Sequence, residues 1–395
     1  MDILIIADFS GSFDGKTNNR FAYLAEMMAK DNRVEIVSSD FYHGKKEYFS
    51  NKDFDFSYKV TMLHEERYSK NISLKRFYSH FMWGRRVKKY LKNRKKPDVI
   101  YCAVPTLTAA YEAAKYCQKN NIKFVIDIQD LWPEAFKMVL HMPVVSDIIF
   151  APFTWLANGI YKRADEVVAV SDTYVNRALA VNKKCVGGHS VFLGTNLDTF
   201  DKNARSNPVE RNDGETWLAY CGTLGASYDI RCVFDALAIV RDKGITPPRF
   251  IVMGDGPRRA EFEAYAKSKD IDAVFTGRLP YDEMCGRLCA CDITVNPITR
   301  GAAQSIINKH ADYASSGLPV LNTQECPEYC ALVDKYNMGY NCKNNDAEDL
   351  AEKLMKLLEN KELCVEMGKN SRRCAEERFD RAHSYKEITD IILKA

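Results

Sequence analysis

Residues Gly301 to Thr323 read G-A-A-Q-S-I-I-N-K-H-A-D-Y-A-S-S-G-L-P-V-L-N-T. Ser305, Asn308, Lys309 and Asp312 recur at steps of three and four, which places them on one face near the start of a helix. Ile306, Ile307, Ala311 and Ala314 pack the other side. Gly317 ends the helix in a left-handed turn, Leu318 and Pro319 cannot continue it, and Val320 and Leu321 open the next buried strand. Free N–H groups and the helix dipole favour an anion at such a helix start.

Upstream, strands are expected at Trp217 to Cys221, Phe250 to Met253, Ala273 to Thr276 and Ile293 to Asn296, each followed by a loop and a helix. Gly222, Gly254, Gly277 and Pro297 mark the strand exits, where ligands bind in open α/β sheets. Glycine there lets backbone N–H groups approach an anion closely, at Gly222-Thr223-Leu224 and again at Gly254-Asp255-Gly256. The first half repeats the alternation. Strands are expected at Asp2 to Ala7, Val34 to Ser38, Val60 to Leu63, Val99 to Cys102, Phe124 to Ile128, Val167 to Val170 and Val191 to Leu193, with helical patterns between most of them. Continuous apolar runs of this kind belong to parallel strands buried on both faces, so the fold class is α/β with two doubly wound parallel sheets.

With 395 residues, 46% of them hydrophobic, the chain supports two cores. The expected domains are 1–197 and 215–379, joined by a polar linker at 198–214. The tail helix, 380–395, is amphipathic through Tyr385, Ile388, Ile391 and Ile392 and packs back on the first domain. A net charge of +3 gives no case for nucleic-acid binding. The 13 cysteines lack paired C-x2-C hooks, and the histidines show no metal spacing, so no metal site is expected. The N-terminus lacks the charged start and long apolar core of a signal peptide, and no stretch is long and clean enough to span a membrane; the expectation is a cytoplasmic protein with reduced thiols.

The first strand exits into a loop containing Gly15-Lys16-Thr17, phosphate-friendly in position although it lacks the upstream glycine of a P-loop. At the exit of another buried strand stands D-I-Q-D-L-W-P-E, Asp127 to Glu134. Asp127 or Asp130 can orient an acceptor hydroxyl or take its proton there, and Asp130 can also cap a helix with Pro133 in its first turn. From Arg85 to Lys96, eight of twelve residues are basic and none is acidic. With Trp83 just before them, Arg85, Arg86, Lys88, Lys89 and Lys92 suggest a membrane-surface helix, against the reading that the aromatics enter the core.

Four stretches together carry a family resemblance. V-F-L-G-T-N-L-D-T-F at Val191 to Phe200, V-M-G-D-G-P at Val252 to Pro257, A-S-S-G-L-P-V at Ala314 to Val320 and the opening strand with its glycine loop resemble the retaining, GT-B fold glycosyltransferases of family 4. The likeness is to bacterial enzymes that build capsule, O-antigen or other surface polysaccharides. It implies two Rossmann-like domains facing a cleft, the C-terminal one binding a nucleotide diphosphate sugar, a UDP-sugar foremost, with no further cofactor required. The family's E-x7-E pair maps onto Gln304 and Asp312, which would meet the donor sugar and the ribose. Many relatives place an Arg and a Lys where this chain has Thr223 and Tyr228, so Lys309 and Arg278 are expected to offset the diphosphate charge. Arg278 and Leu279, with Ser305, Ile306, Ile307 and Asn308, complete the expected donor site. His310, beside Ala311 on the packed side, is expected to be a core imidazole and not a base. The acceptor is expected to be a saccharide, lipid-linked as for many relatives, which favours a peripheral position on an anionic membrane. A sugar-nucleotide epimerase of the same architecture and a non-catalytic nucleotide-sugar-binding subunit are the alternative readings.

Overall fold

The computed structural model describes residues 1–11, 13, 19–50, 55–70, 73–136, 143–185, 187–302 and 305–394. Gly15, Lys16, Thr17 and Gln304 lie outside the described residues. The chain forms two compact units, Met1–Val191 with Tyr385–Ala395, and Phe192–Ser384.

In the first unit the strands are β1 (Asp2–Ile6), β2 (Arg33–Ser39), β5 (Lys59–Leu63), β6 (Val99–Val104), β7 (Lys123–Ile128), β8 (Glu166–Ala169) and β9 (Gly188–Ser190). They make one sheet in the order β5-β2-β1-β6-β7-β8-β9, with every pairing parallel. A small antiparallel pair, β3 (Phe41–Tyr42) and β4 (Glu47–Tyr48), stands apart. The helices are α1 (Arg20–Ala29), α2 (Leu74–Asn93), α3 (Leu107–Asn120), α4 (Pro143–Tyr161) and α5 (Asp172–Leu179). Their starts follow local chemistry. Asn19 Oδ1 accepts from the Phe21 and Ala22 amides, and Ser73 and Ser171 hydroxyls accept from Arg76 and Tyr174.

The second unit holds β10 (Trp217–Cys221), β11 (Arg249–Met253), β12 (Ala273–Gly277), β13 (Ile293–Asn296), β14 (Val320–Asn322) and β15 (Gly339–Asn341). These form a parallel sheet in the order β12-β11-β10-β13-β14-β15. Its helices are α6 (Leu197–Ser206), α7 (Ile230–Asp242), α8 (Arg259–Ser268), α9 (Tyr281–Cys289), α10 (Asn308–Ser315), α11 (Pro327–Tyr336), α12 (Ala347–Glu359) and α13 (Lys361–Cys374). A π-helical turn, Ala375–Phe379, precedes the last helix, α14 (Arg381–Leu393). Tyr385, Ile388, Ile391 and Ile392 of α14 are buried in the core of the first unit with Ile3, Ile5 and Leu24.

Three expectations change. The stretch expected as an irregular linker opens with α6, because Asn196 caps it and Leu197 and Phe200 reach the core beside Cys285 and Leu288. Val191 to Leu193 is not a strand; β9 is the preceding Gly188–Ser190. The run is apolar because Val191 belongs to one core and Phe192 to the other. The short β15 was missed, since G-Y-N offers no apolar run to read.

Candidate active site

In the second unit the chain leaves β10 towards β11 on one side, while β13 lies on the other. The carboxyl ends of β10 and β13 therefore flank a topological switch point, where open α/β sheets hold ligands. The expected glycines line this end, but they perform another task. The Gly222 amide donates to Met253 O at 2.9 Å and the Leu224 amide to Asp255 O at 3.0 Å. A Cβ on Gly254 would sit 1.8 Å from Gly222 O, and one on Gly256 would sit 2.3 Å from Leu224 O. Gly222, Gly254 and Gly256 let two exit loops close on each other, so the Gly222 and Leu224 amides are already engaged; Leu224 itself is core.

Lys309, in the first turn of α10, turns inward. Its Nζ lies 4.4 Å from the centre of the Tyr220 ring and 4.0 Å from that of Tyr228. A Cβ on Gly222 would come within 2.6 Å of it, so the glycine also makes room for the amine. Nζ is buried and has no hydrogen-bond partner. Burial pulls its pKa down to about 7. An unpaired amine at a strand exit is unusual, because buried cations are normally paired.

Asp312, one turn further along α10, accepts the Tyr281 hydroxyl at 2.9 Å, and Tyr281 in turn meets Thr195 Oγ1 at 2.9 Å. Burial raises the Asp312 carboxyl to about 6, against the opposing pull of the Tyr281 hydrogen bond. Asp312 and Lys309 both lie near enough to the buried Cys221 thiol to act on it electrostatically, the carboxylate raising and the amine lowering its pKa. Asn308 is exposed and Ser305 buried, so these polar residues do not share one face. The reason is the helix start: α10 begins at Asn308, and Ile307 is extended. Ile306 is core. The segment before the helix is held from below, where Gln324 Nε2 donates to Ser305 O at 2.9 Å and Asn296 Nδ2 meets both His310 Nε2 and Asn322 Oδ1. His310 is fully buried, stacks on Tyr329 at 3.5 Å and is driven well below its usual pKa by burial and by Lys309. It is a core imidazole. Arg278 is exposed at the β12 exit, and Leu279 packs partly buried against the core. Thr223, at the β10 exit, is exposed. A larger cavity, about 410 Å³, is lined by Tyr228, Arg231, Arg258 and Arg300. Arg231 and Arg258 share Glu261, Arg300 pairs with Glu325, and Asp229 also lines this cavity, so each arginine there has an acidic neighbour.

The first unit has its own switch point, between β1 and β6. There a cavity of about 180 Å³ is lined by Asp8, Phe9, Arg76, Thr106, Gln129, Asp130 and Trp132. Asp130 accepts the Leu131 amide at 2.9 Å and Trp132 Nε1 at 3.1 Å, and burial raises its carboxyl above the usual range. Asp127 corrects the expectation. It is fully buried, with Oδ2 2.8 Å from Arg20 Nε and 3.1 Å from Gln129 Nε2. That ion pair fastens the start of α1 to β7 and keeps Asp127 from reaching an acceptor.

Beneath the cavity, Asp8 and Glu65 lie close to His80. Burial and the neighbouring Glu65 push the Asp8 carboxyl well up, and burial raises Glu65 as well, against hydrogen bonds from Ser39 and Ser79. His80 is held neutral, near pKa 3, by burial and by Arg76. Arg76 Nε points to His80 Nε2 at 3.4 Å, and its guanidinium lies 4.6 Å from the Trp132 ring centre. Arg76 thus supplies the cation for this acidic pair. Perturbed groups gathered at a strand-exit cavity make this a candidate functional site. Asp8, a carboxylate leaving the first strand, carried a signal that the sequence reading did not use; Glu65, Arg76 and His80 carried none, because they come from loops and α2.

The basic segment divides. Trp83 is fully buried, Arg86 pairs with Glu66 at 2.6 Å and Lys88 with Glu112 at 2.8 Å. Arg85, Lys89 and Lys92 are exposed. Trp83 is therefore a core residue, which follows from its place opposite the exposed ridge of α2.

Residues 201–374 match the family described as glycosyl transferases group 1. The chain is 23% identical over 294 residues to the sulfoquinovosyl transferase SQD2 of Arabidopsis thaliana, covering 71% of this chain and 53% of that protein. It is 24% identical over 230 residues to the putative colanic acid biosynthesis glycosyl transferase WcaI of Escherichia coli, covering 55% of this chain and 54% of that one. The chain thus spans a little over half the length of these curated relatives. Among solved structures it is similar to Alr3699/HepE of Anabaena in complex with UDP, with a TM-score of 0.69, 15% identity and 100% of both chains covered. The fold is accordingly two parallel-sheet α/β units of the GT-B type.

Proposed function

We propose that this chain is a glycosyltransferase that moves a sugar from a nucleotide diphosphate donor, a UDP-sugar foremost, to a saccharide acceptor in surface polysaccharide assembly. The match of residues 201–374 to glycosyl transferases group 1 supports the reaction class, and the UDP held by the structurally similar Anabaena protein supports the donor. The observation that carries the reading to particular atoms is Lys309: a buried amine without a hydrogen-bond partner at the switch point of the second unit. A diphosphate there supplies the missing charge partner, with Arg278 at the β12 exit reaching towards it. Tyr228 covers the amine, so binding requires that ring or the lysine to turn. Asp312 takes ribose hydroxyls. Gln304 meets the donor sugar, and Gly15, Lys16 and Thr17 face phosphate.

The first unit takes the acceptor at its own cavity. Asp130 and Asp8 orient hydroxyls there against the Trp132 and Phe9 rings. Lys309 stabilises charge building on the departing diphosphate, and the enzyme's work is positioning and electrostatics, with the donor phosphate taking the acceptor proton and configuration retained. The acceptor is carried on lipid, which sets the enzyme at an anionic membrane surface on the cytoplasmic side.

A thermal-shift series with UDP, GDP and ADP tests the donor site, because a ligand bound only to the folded state raises Tm. UDP is expected to give the largest shift. No shift with any diphosphate nucleotide would remove the reading. Product analysis then separates transfer from donor epimerisation or binding without turnover. Asp130→Asn is expected to lower acceptor kcat/KM with Tm and UDP affinity unchanged.

A further inference from the structure

Asp8, Glu65 and His80 come from the exit of β1, the loop after β5 and the first half of α2. One oxygen of each carboxyl and one ring nitrogen all lie within 4.8 Å of one another. Among the described residues no other three Asp, Glu, His or Cys side chains stand so close. All three are closed off, with Asp8 7%, Glu65 1% and His80 4% exposed. They are far apart in the chain, so no short ligand spacing announces them.

The surrounding hydroxyls fix the orientation of both carboxyls. Ser39 Oγ donates to Glu65 Oε2 at 2.6 Å, Ser79 Oγ to Glu65 Oε1 at 2.7 Å and Thr106 Oγ1 to Asp8 Oδ2 at 2.9 Å. Asp8 Oδ1 is left buried with no hydrogen-bond partner. A buried carboxyl oxygen that no donor meets calls for a cation. Arg76 Nε points to His80 Nε2 at 3.4 Å, so that nitrogen carries the lone pair, the form that binds a metal. The same nitrogen stands 3.9 Å from Glu65 Oε1. With bonds of ~2.1 Å, two ligands of one ion are roughly 3–4 Å apart, so little movement brings these atoms to bonding distance. Arg76 is one positive charge beside two carboxyl groups. Its guanidinium lies over the Trp132, Phe9 and Tyr68 rings, at 4.6, 5.5 and 5.7 Å from their centres, so an ion on His80 Nε2 exchanges a long contact for a bond and leaves that stacking in place.

We propose that Asp8, Glu65 and His80 bind one divalent transition-metal ion, Zn²⁺ or Mn²⁺, at the wall of the first unit's cavity. Two carboxylates and an imidazole suit these ions better than Mg²⁺, which favours oxygen ligands throughout. The hydroxyls of Ser39, Ser79 and Thr106 are the outer partners that such ligands require. Asp8 lines the cavity of about 180 Å³, which gives the ion its way in. Three protein ligands leave a coordination position for water or substrate, as in catalytic sites. Its use by an acceptor hydroxyl rests on the transferase reading; the ion site itself does not.

The experiment uses the full chain, stripped with chelator, desalted and titrated calorimetrically with Zn²⁺, Mn²⁺ and Mg²⁺ in turn. One Zn²⁺ or Mn²⁺ per chain is expected, with Mg²⁺ at least tenfold weaker, and the preferred ion should raise Tm. Thr106→Val should weaken the ion by about 10-fold, and Asp8→Asn or Glu65→Gln by at least about 100-fold, more than the loss of an outer partner costs. Co²⁺ on the parent protein should show visible d–d bands without a thiolate charge-transfer band, a result that holds even if a variant fails to fold. No saturable binding of any ion to the parent would overturn the proposal. So would unchanged affinity in both Asp8→Asn and Glu65→Gln, or a thiolate band, which would place the ion on cysteines. UDP thermal shifts measured in chelator report separately on the transferase reading.

Discussion

Replacing Lys309 by Met separates a buried amine kept for a ligand from one kept for the fold. Its Nζ is sealed without a hydrogen bond between Tyr220 and Tyr228, and burial takes its pKa from 10.5 to about 7. At 1.36 kcal/mol per pH unit, carrying the charge in the fold costs on the order of 5 kcal/mol, which the cation–π contacts with Tyr220 and Tyr228 partly offset. The unfolded chain binds this proton more tightly than the folded one. The penalty is therefore complete below about pH 7 and fades as pH rises towards 10.5. Lys309→Met, nearly equal in volume, should raise stability by about 2–4 kcal/mol at pH 6 and by progressively less towards pH 10. Loss of a charged hydrogen bond to the diphosphate, about 1.5–3 kcal/mol, should weaken UDP roughly 10- to 150-fold. In the parent protein, UDP affinity should fall as pH rises above 7, because binding takes up a proton. Scanning calorimetry and isothermal titration across pH read both effects. A variant with lower Tm, or one binding UDP as tightly as the parent, would refute the reasoning.

Two further outcomes follow from buried charges. Arg20→Ala or Asp127→Ala leaves an uncompensated charge and should cost about 3–5 kcal/mol in urea unfolding, whereas a surface pair such as Arg249 with Asp272 should cost less than about 1 kcal/mol. Asp312, raised to about 6, is penalised once ionised; the penalty is absent below about pH 4, grows between pH 4 and 6 and is complete above that. Asp312→Asn keeps the acceptor for Tyr281 and should raise Tm at pH 8 but not at pH 4, by about 1–3 kcal/mol in stability.

Much of the donor-side segment could be read in advance. Ala311 and Ala314 are core, Gly317 has a positive φ of 68° and Val320–Asn322 is a strand, because backbone punctuation and apolar spacing are local properties. The helix start was misplaced by about one turn. Asn296, Asn322 and Gln324 hold the preceding residues extended, and that network draws on two separate strand exits, those of β13 and β14. The strand-exit glycines were recognised as special, yet the backbone they approach is the protein's own.

The sequence alone determined two parallel α/β units, since strands buried on both faces require continuous apolar runs and helices between them show their period. Only the tertiary structure decided which charges are available. Arg20 and Asp127 are 107 positions apart and neutralise each other, while Lys309, adjacent in sequence to ordinary helix residues, has its amine sealed between two tyrosines from a distant loop and strand. Whether a side chain is paired, sealed or exposed depends on contacts between segments far apart in the chain, and local spacing carries no record of them. The same holds for Trp83, buried although it stands next to the most basic run in the protein.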